Sequence, residues 1–157
     1  MNRLLIAVIF IVSFNRLFSQ SIDYLAIDKD FIYGAWYDST KLSTGGSGYI
    51  FTPDSCCSLI INGEMTSCIV ESKKMKVLYQ VDYKINPKQL DIKFVDLKTD
   101  SIKGNIPMIF EIIDKNHIRL AVNKDLNNKR PNDFRTSNDT EISILTRYIE
   151  NEKINAR

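Results

Sequence analysis

Apolar and polar residues alternate along most of this chain, and that alternation predicts β-strands. It is longest at 75–86, where every second residue from Met75 to Ile85 is apolar, as in a strand with one buried face. Further strand-like runs lie at 31–37, 48–51, 56–61, 64–70, 89–94, 106–113, 117–122 and 141–148. We therefore expect an all-β fold, an up-and-down antiparallel meander of about eight strands. It either closes into a barrel or folds as a sandwich, and closure is favoured because it removes exposed edges.

The first twenty residues have the pattern of a secretory signal peptide. Arg3 precedes the unbroken apolar run 4–12, and the small Ser19 lies near the expected cleavage position. A membrane-spanning helix needs about twenty apolar residues, so no transmembrane span is predicted here, although an uncleaved anchor is the alternative. We expect 1–20 to be removed and 21–157 to form one domain. That domain would lie in the periplasm, at the outer envelope or outside the cell.

The charge balance argues against a nucleic-acid partner. The full chain carries 21 Lys and Arg against 19 Asp and Glu. Loss of residues 1–20 removes Arg3 and Arg16 and no acid, which leaves a neutral chain with scattered charges. Such a chain lacks the basic surface that binds DNA or RNA, and its pattern indicates no particular protein partner.

Three cysteines lie close together around an Asn-Gly pair. Asn62 and Gly63 are typical of the two central residues of a tight β-hairpin turn, which places Ile61 opposite Glu64. Continuing that register brings Cys57 opposite Cys68, at a Cα separation that suits a disulfide. The sequence therefore predicts a Cys57–Cys68 bridge with Cys56 left over on the other face, and three buried thiols are the alternative.

No residue pattern indicates catalysis. His117, the only histidine, alternates onto the same face of its strand as Arg119. The apolar Ile118 and Leu120 lie on the other face, so His117 is predicted to lie outside the barrel. The glycine-rich segment 43–48 lacks the residues of a phosphate-binding loop and is interpreted as a turn. One His and three Cys at these spacings do not make a zinc site. We therefore expect no enzyme activity, no metal and no cofactor.

Several short motifs occur in an order that resembles a bacterial family of secreted, lipocalin-like proteins. Gly34 and Trp36 form the Gly-x-Trp of "YGAWYDS", and "LTR" at 145–147 supplies the closing Leu-x-Arg. Between them lie "YKINPKQLDIKF" and "RPNDF". Together these motifs span about residues 31–148. In the family, the closing arginine packs over the tryptophan, so the resemblance implies a calycin-type barrel in which Arg147 lies over Trp36.

The loop motif "RPNDF" contains a rigid proline and a bulky aromatic residue among polar neighbours. Pro131 fixes its own backbone and favours an extended Arg130, while Phe134 can return to the apolar surface. We interpret Arg130, Pro131 and Phe134 as a structural clasp, and a ligand-binding loop is the alternative.

A barrel of about eight strands has room for packed side chains or for one small ligand. The residues that alternate toward the interior of the barrel are predicted to line it: Val77, Tyr79, Val81, Tyr83, Ile92, Phe94, Met108 and Phe110. Among them, Tyr79, Tyr83, Phe94 and Phe110 are the candidate ligand contacts. The expected function is a secreted, non-enzymatic lipocalin-like barrel that binds a small apolar or amphipathic ligand. The alternative is an envelope interaction module with a filled interior and an outer apolar patch that includes Leu78, Val95 and Ile109.

Overall fold

Ten antiparallel strands form one sheet in a computed structural model that describes residues 30–38, 46–125 and 129–148. The predicted signal peptide, residues 1–20, lies outside the described residues. The strands are β1 (Gly34–Asp38), β2 (Gly48–Phe51), β3 (Cys57–Ile61), β4 (Glu64–Thr66), β5 (Ile69–Val70), β6 (Met75–Asp82), β7 (Lys88–Asp96), β8 (Ile102–Ile112), β9 (His117–Asn123) and β10 (Thr140–Arg147). A single turn of 3-10 helix, Glu71–Lys73, precedes β6.

The strand order is β4-β3-β2-β1-β10-β9-β8-β7-β6-β5, so each strand except β1 and β10 pairs only with its chain neighbours. This meander confirms the predicted all-β fold and curls into a nearly closed barrel. The two ends of the sheet meet at β6, where the backbone of Cys56 pairs with that of Leu78 in antiparallel fashion. Beside this pair, the Tyr79 N–H donates to the Ser55 carbonyl over 2.9 Å. In the part of the chain that the structure describes, no helix is long and apolar enough to cross a membrane.

The structure has ten strands rather than about eight, because the sequence contains nine strand-like runs and one of them is broken in two. The run 64–70 reads as a single strand in the sequence, but it forms β4 and β5, which are separated at Ser67 and Cys68. β4 pairs with β3, whereas β5 pairs with β6 on the far side of the seam. The chain thus leaves one edge of the sheet and joins the other within two residues.

The hairpin around Asn62 and Gly63 has the predicted register. Ile61 lies opposite Glu64, and both turn residues have positive φ, at 53° and 81°. A positive φ at both centres is what this two-residue turn requires. The pairing continues to Leu59 opposite Thr66 and stops there.

Because the ladder stops early, the predicted Cys57–Cys68 disulfide is wrong. The bridge joins Cys56 and Cys68, with a Cα separation of 5.7 Å, and Cys57 is a free, buried thiol. After β4 the chain turns toward β6, where the Cys68 carbonyl accepts a hydrogen bond from the Val77 N–H over 2.7 Å. The backbone of Cys56 pairs with that of Leu78, the residue after Val77 in β6, so the two cysteines meet there. The disulfide therefore lies at the seam of the barrel.

The interior is a single apolar cluster built from the alternating inward residues. It contains Trp36, Phe51, Leu90, Ile92, Met108, Phe110, Ile118 and Leu145, each almost wholly buried. Burial of these side chains is the main favourable contribution to the stability of such a fold.

One end of the barrel is closed by the turn that precedes β1. The Trp36 indole N–H donates to the Ile32 carbonyl over 2.7 Å, and Arg147 donates to the carbonyls of Phe31 and Tyr33. Gly34 connects this turn to β1 with a φ of 110°, a conformation that side-chain-bearing residues rarely adopt. Phe31 and Tyr33 therefore belong to the turn and its junction, and the strand begins three residues later than predicted.

Candidate functional site: a cavity at the open end of the barrel

A cavity of about 220 Å³ lies inside the barrel, toward the end opposite the turn that precedes β1. Its lining comes from β1, β2, β3, β7, β8, β9 and β10. Ile61 and Ser47 lie at this end, beside the tip of the β3–β4 hairpin and the segment that enters β2. The cavity is thus a space that the core residues leave unfilled.

Alternation along β1 and β10 aims polar side chains into this space. On β1, Asp38 is two residues beyond the buried Trp36 and therefore shares its inward face. On β10, Glu141, Ser143 and Leu145 precede Arg147 at two-residue intervals and share its face. The same alternation that packs the core at one end brings carboxylates and a hydroxyl to the other.

The opposite wall of the cavity is apolar. Ile92 of β7, Met108 of β8 and Leu120 of β9 are almost wholly buried and line it, and Leu145 continues the apolar surface onto β10. Ile106 and Val122, on the same faces of β8 and β9, extend it toward the open end. Hydrocarbon placed against this wall would leave water, which is favourable for binding.

The polar wall comes from three adjacent strands, β2, β1 and β10. Asp38 is only 3% exposed, and its backbone N–H donates to the Ser47 carbonyl over 2.8 Å. Tyr49 lies opposite Trp36 in the β1–β2 ladder and is one of the residues that line the cavity. Burial raises the pKa of Tyr49 to about 12, and the negative charges of Glu141 and Asp38 contribute to that rise. The tyrosine is therefore a neutral hydroxyl near two carboxylates.

The predicted ligand contacts lie elsewhere. Tyr79 and Phe110 are part of the buried core, Tyr83 and Phe94 pack against it, and none of the four lines the cavity. Of the eight residues assigned to the lining by parity, two do line it, Ile92 and Met108. The predicted apolar interior agrees with the buried cluster, whereas the four candidate ligand contacts lie outside the lining of this cavity.

Aromatic packing explains why the free space is not near the tyrosines. The ring of Tyr79 contacts that of Phe51, with centroids 4.8 Å apart, and Tyr83 contacts Phe110 at 5.9 Å. Both tyrosine hydroxyls are also engaged by the backbone. Tyr79 donates to the Thr52 carbonyl over 2.9 Å, and Tyr83 accepts from the Ile32 N–H over 3.2 Å. These residues fill and close the barrel.

Sequence analysis missed Asp38, Tyr49, Glu141 and Ser143. A signal was present for two of them, because Glu141 and Ser143 alternate with the inward Leu145 and Arg147 on the same face of β10. Polar or small residues at inward positions mark a place where the interior is not filled by hydrocarbon.

The clasp residues lie on the outer surface, away from the cavity. Arg130 donates to the Met108 carbonyl and, over 2.7 Å, to the Asp91 carboxylate, which ties the loop to β8 and β7. The Arg119 guanidinium on β9 lies 4.8 Å from the centre of the Phe134 ring. Pro131, which lies between Arg130 and Phe134 in the sequence, is buried. The contacts support the interpretation of this loop as a structural clasp.

A more open groove of about 410 Å³ runs beside the clasp and is lined mostly by polar loop residues, among them Lys129, Asp133 and Asp139. Its charges are mixed in sign. His117 lies on the outer side of β9, as predicted, and its ring nitrogen is 2.9 Å from the Asp114 carboxylate. Neither feature contributes to the internal cavity.

Comparisons with known proteins give no further guide to the chemistry of this cavity. No protein-family model, no curated protein and no solved structure matches the chain. The likeness to the lipocalin-like family therefore stays a prediction from the order of its motifs.

Proposed function

We propose that this protein is an exported, non-enzymatic, lipocalin-like barrel that binds one small amphipathic molecule in the cavity at its open end. The observation that carries the proposal is the internal space itself. It has an apolar wall that includes Ile92, Met108 and Leu120, and its polar groups lie on the opposite wall. Small-molecule sites commonly combine a mostly apolar lining with a few polar groups that orient the ligand.

The volume limits the size of the ligand. A cavity of about 220 Å³ is smaller than the 300–1,000 Å³ that is common for drug-sized ligands. At about 30 Å³ for each water-sized group, it holds roughly seven non-hydrogen atoms. The proposed ligand is therefore a small molecule or one end of a longer chain that extends out of the open end.

A second candidate function is an envelope interaction module that uses its outer surface. The predicted apolar patch does not carry it, because Val95 and Ile109 are buried and Leu78 is half-buried against Cys56. A different observation favours it, namely that the exposed Ile61 and Met65 line one open groove on the β3–β4 hairpin. Exposed apolar residues that lie close together often mark a contact site.

The two functions can be separated by native mass spectrometry of protein purified from its host. A carrier should retain extra mass that leaves on denaturation. Ser143→Leu places a larger side chain in the cavity wall and should abolish that mass, while Thr146→Leu, on the outer face of the same strand, should keep it. Repeated spectra of the bare chain from several preparations would contradict the carrier and favour the interaction module.

Export has its own test. If residues 1–20 are a signal peptide, the mature protein recovered outside the cytoplasm should begin near residue 21 when its N-terminus is sequenced. A chain that keeps Met1 in the cytoplasmic fraction would contradict export without bearing on the cavity.

A further inference from the structure

We propose that the Cys56–Cys68 disulfide is a redox latch on the cavity, so that its reduction by a dithiol opens the seam of the barrel and weakens ligand binding. This inference rests on the proposed function, because it assigns a form of regulation to the same cavity. The seam is the place where the residues that precede β3 meet β6.

The first support is that no continuous ladder closes the seam in the described part of the chain. β6 pairs with β7 along its whole length, whereas across the seam the pairing is the isolated bridge of Cys56 with Leu78. Next to this bridge lies the hydrogen bond from the Tyr79 N–H to the Ser55 carbonyl. The disulfide is therefore a covalent link across a short contact, and it carries a large share of what holds the two sides together.

The second support is the position of β3 beside the seam. Among the described residues, β3 pairs with β2 on one side and with β4 on the other, and β4 is the last strand of the sheet. β3 and β4 together are thus joined to the rest of the sheet by the ladder with β2. Leu59, Ile60 and Ile61 of β3 line the cavity. Release of Cys56, which directly precedes β3, would therefore free one wall of the cavity to move.

The bridge lies near the surface of the barrel, where a reductant can reach it. Cys56 and Cys68 are half-buried, and the neighbouring Ser55 and Ser67 are exposed. Access of this kind is needed because the attacking thiolate must reach a sulfur of the bridge. Cys57 does not compete, since it is buried in the core and burial raises its pKa to about 12. Reoxidation should therefore restore the same bridge.

The reaction is a thiol–disulfide exchange. One thiolate of the dithiol attacks a sulfur of the bridge, the S–S bond breaks, and a mixed disulfide forms. The second thiolate of the dithiol then displaces the protein sulfur. Two electrons pass from the dithiol to the bridge, so the dithiol ends as a disulfide. Cys56 and Cys68 end as thiols, which hold the two protons that the dithiol gave up.

Opening of the seam is tested by amide hydrogen exchange before and after treatment with dithiothreitol. The Tyr79 N–H reports on the seam, because it donates across it to Ser55. In the reduced chain this amide should exchange within about two-fold of the rate of an unstructured peptide, because the seam is open at least about half of the time. The amide of Leu120, on β9 between two paired neighbours, should keep at least about 100-fold protection.

Control of the cavity is tested with 1-hexanol, a probe close to the roughly seven-atom capacity of the cavity. Its binding is followed by NMR at the methyl groups of Leu120 and Leu145, which line the cavity. Affinity falls in proportion to the fraction of the chain in which the seam is closed, so reduction should weaken 1-hexanol binding at least about two-fold. Reoxidation should restore the affinity.

A matched set of variants separates the bridge from other effects of the reductant. Cys56→Ser combined with Cys68→Ser removes the bridge, and it should show the open seam and the weaker binding with no reductant present. Dithiothreitol should change neither property further. Cys57→Ala keeps the bridge and should respond to reduction as the unaltered chain does.

The outcomes separate the latch from the carrier function. A Tyr79 amide that stays protected after reduction, or 1-hexanol affinity that does not change, would overturn the latch and leave the carrier standing. Loss of protection at Leu120 as well would mean that the whole barrel unfolds, which also overturns a local latch. If 1-hexanol fails to shift the Leu120 and Leu145 methyls of the oxidised chain, the carrier function fails at this cavity and the latch has nothing to regulate.

Discussion

Arg147 lies over the indole of Trp36, with its guanidinium carbon 4.4 Å from the ring centre. The two residues are also directly opposite each other in the β1–β10 ladder. The same guanidinium donates to the carbonyls of Phe31 and Tyr33, so it links the last strand to the turn that precedes the first. One side chain thus stabilises both the junction of β1 with β10 and the closed end of the barrel.

Replacing this arginine should therefore destabilise the fold substantially. Arg147→Met keeps most of the apolar stem but removes the cation–π contact and leaves two carbonyls without their donor. We expect a loss of about 3 kcal/mol in the free energy of unfolding, measured by urea denaturation. Arg135→Met, at a side chain that is 89% exposed, should change the stability by less than about 0.5 kcal/mol. Equal effects of the two substitutions would contradict the role given to Arg147.

Phe134 offers a test of the clasp. Its ring lies under the Arg119 guanidinium and is half-buried, so Phe134→Ala loses partial apolar burial and a cation–π contact. We expect a decrease of about 2 kcal/mol in stability, seen as a lower melting temperature. Phe134→Leu keeps most of the apolar contact and should recover about half of the loss. An unchanged melting temperature in Phe134→Ala would reject the clasp, and a change in ligand affinity with no change in melting would favour a binding loop.

Local features of the fold could be predicted from the sequence because they depend on neighbouring residues. The turn at Asn62 and Gly63 follows from residues that accept positive φ, and it fixes the register of the hairpin. The long alternation from Met75 gives β6 and its inward face. The contact of Trp36 with Arg147 was available through the resemblance of short motifs, and the register of β1 against β10 explains it.

Features that depend on distant strands could not be predicted. Whether Cys56 or Cys57 reaches Cys68 is decided by the place where the β3–β4 ladder ends and the chain turns toward β6. The position of the cavity depends on how the side chains of seven strands share one interior. The alternation of side chains along a strand shows which residues point inward, but it does not show whether their neighbours leave space beside them.

The disulfide assignment can be checked by counting reactive thiols. Alkylation of the denatured, unreduced chain should modify one cysteine, Cys57, while the folded chain should resist because this thiol is buried and burial raises its pKa to about 12. Cys57→Ala should then show no reactive thiol, and Cys68→Ala should show two. Two reactive thiols in Cys57→Ala would restore the pairing expected from the sequence.

The same variants measure what the bridge contributes to stability. The disulfide joins residues twelve apart in the sequence, at the point where the two ends of the sheet meet. On the chain-entropy model, closing a loop of this size contributes about 3 kcal/mol. Cys68→Ala should lower the free energy of unfolding by that amount, and reduction of the unaltered chain should have a similar effect. If reduction leaves the urea midpoint unchanged, the bridge does not stabilise the seam.

Buried tyrosines make the stability of this barrel sensitive to alkaline pH. Burial raises the pKa of Tyr49 and of Tyr83 to about 12, from an ordinary value of 10. A raised pKa means that the folded chain holds these protons more tightly than the unfolded chain, so the stability they provide is complete below about pH 10. It is lost as the pH rises from about 10 to about 12. The urea midpoint should therefore be lower at pH 11 than at pH 9.

Tyr49→Phe should reduce this alkaline decrease, since phenylalanine has no proton to lose. Tyr148→Phe is the matched control, because Tyr148 is 62% exposed at the end of the described chain. Absorbance of tyrosinate during an alkaline titration gives an independent measurement. A fraction of the signal should appear only as the protein unfolds, and that fraction should be smaller in Tyr49→Phe. If Tyr49→Phe and Tyr148→Phe gave identical pH profiles of stability, Tyr49 would not be a buried, neutral hydroxyl in the cavity wall.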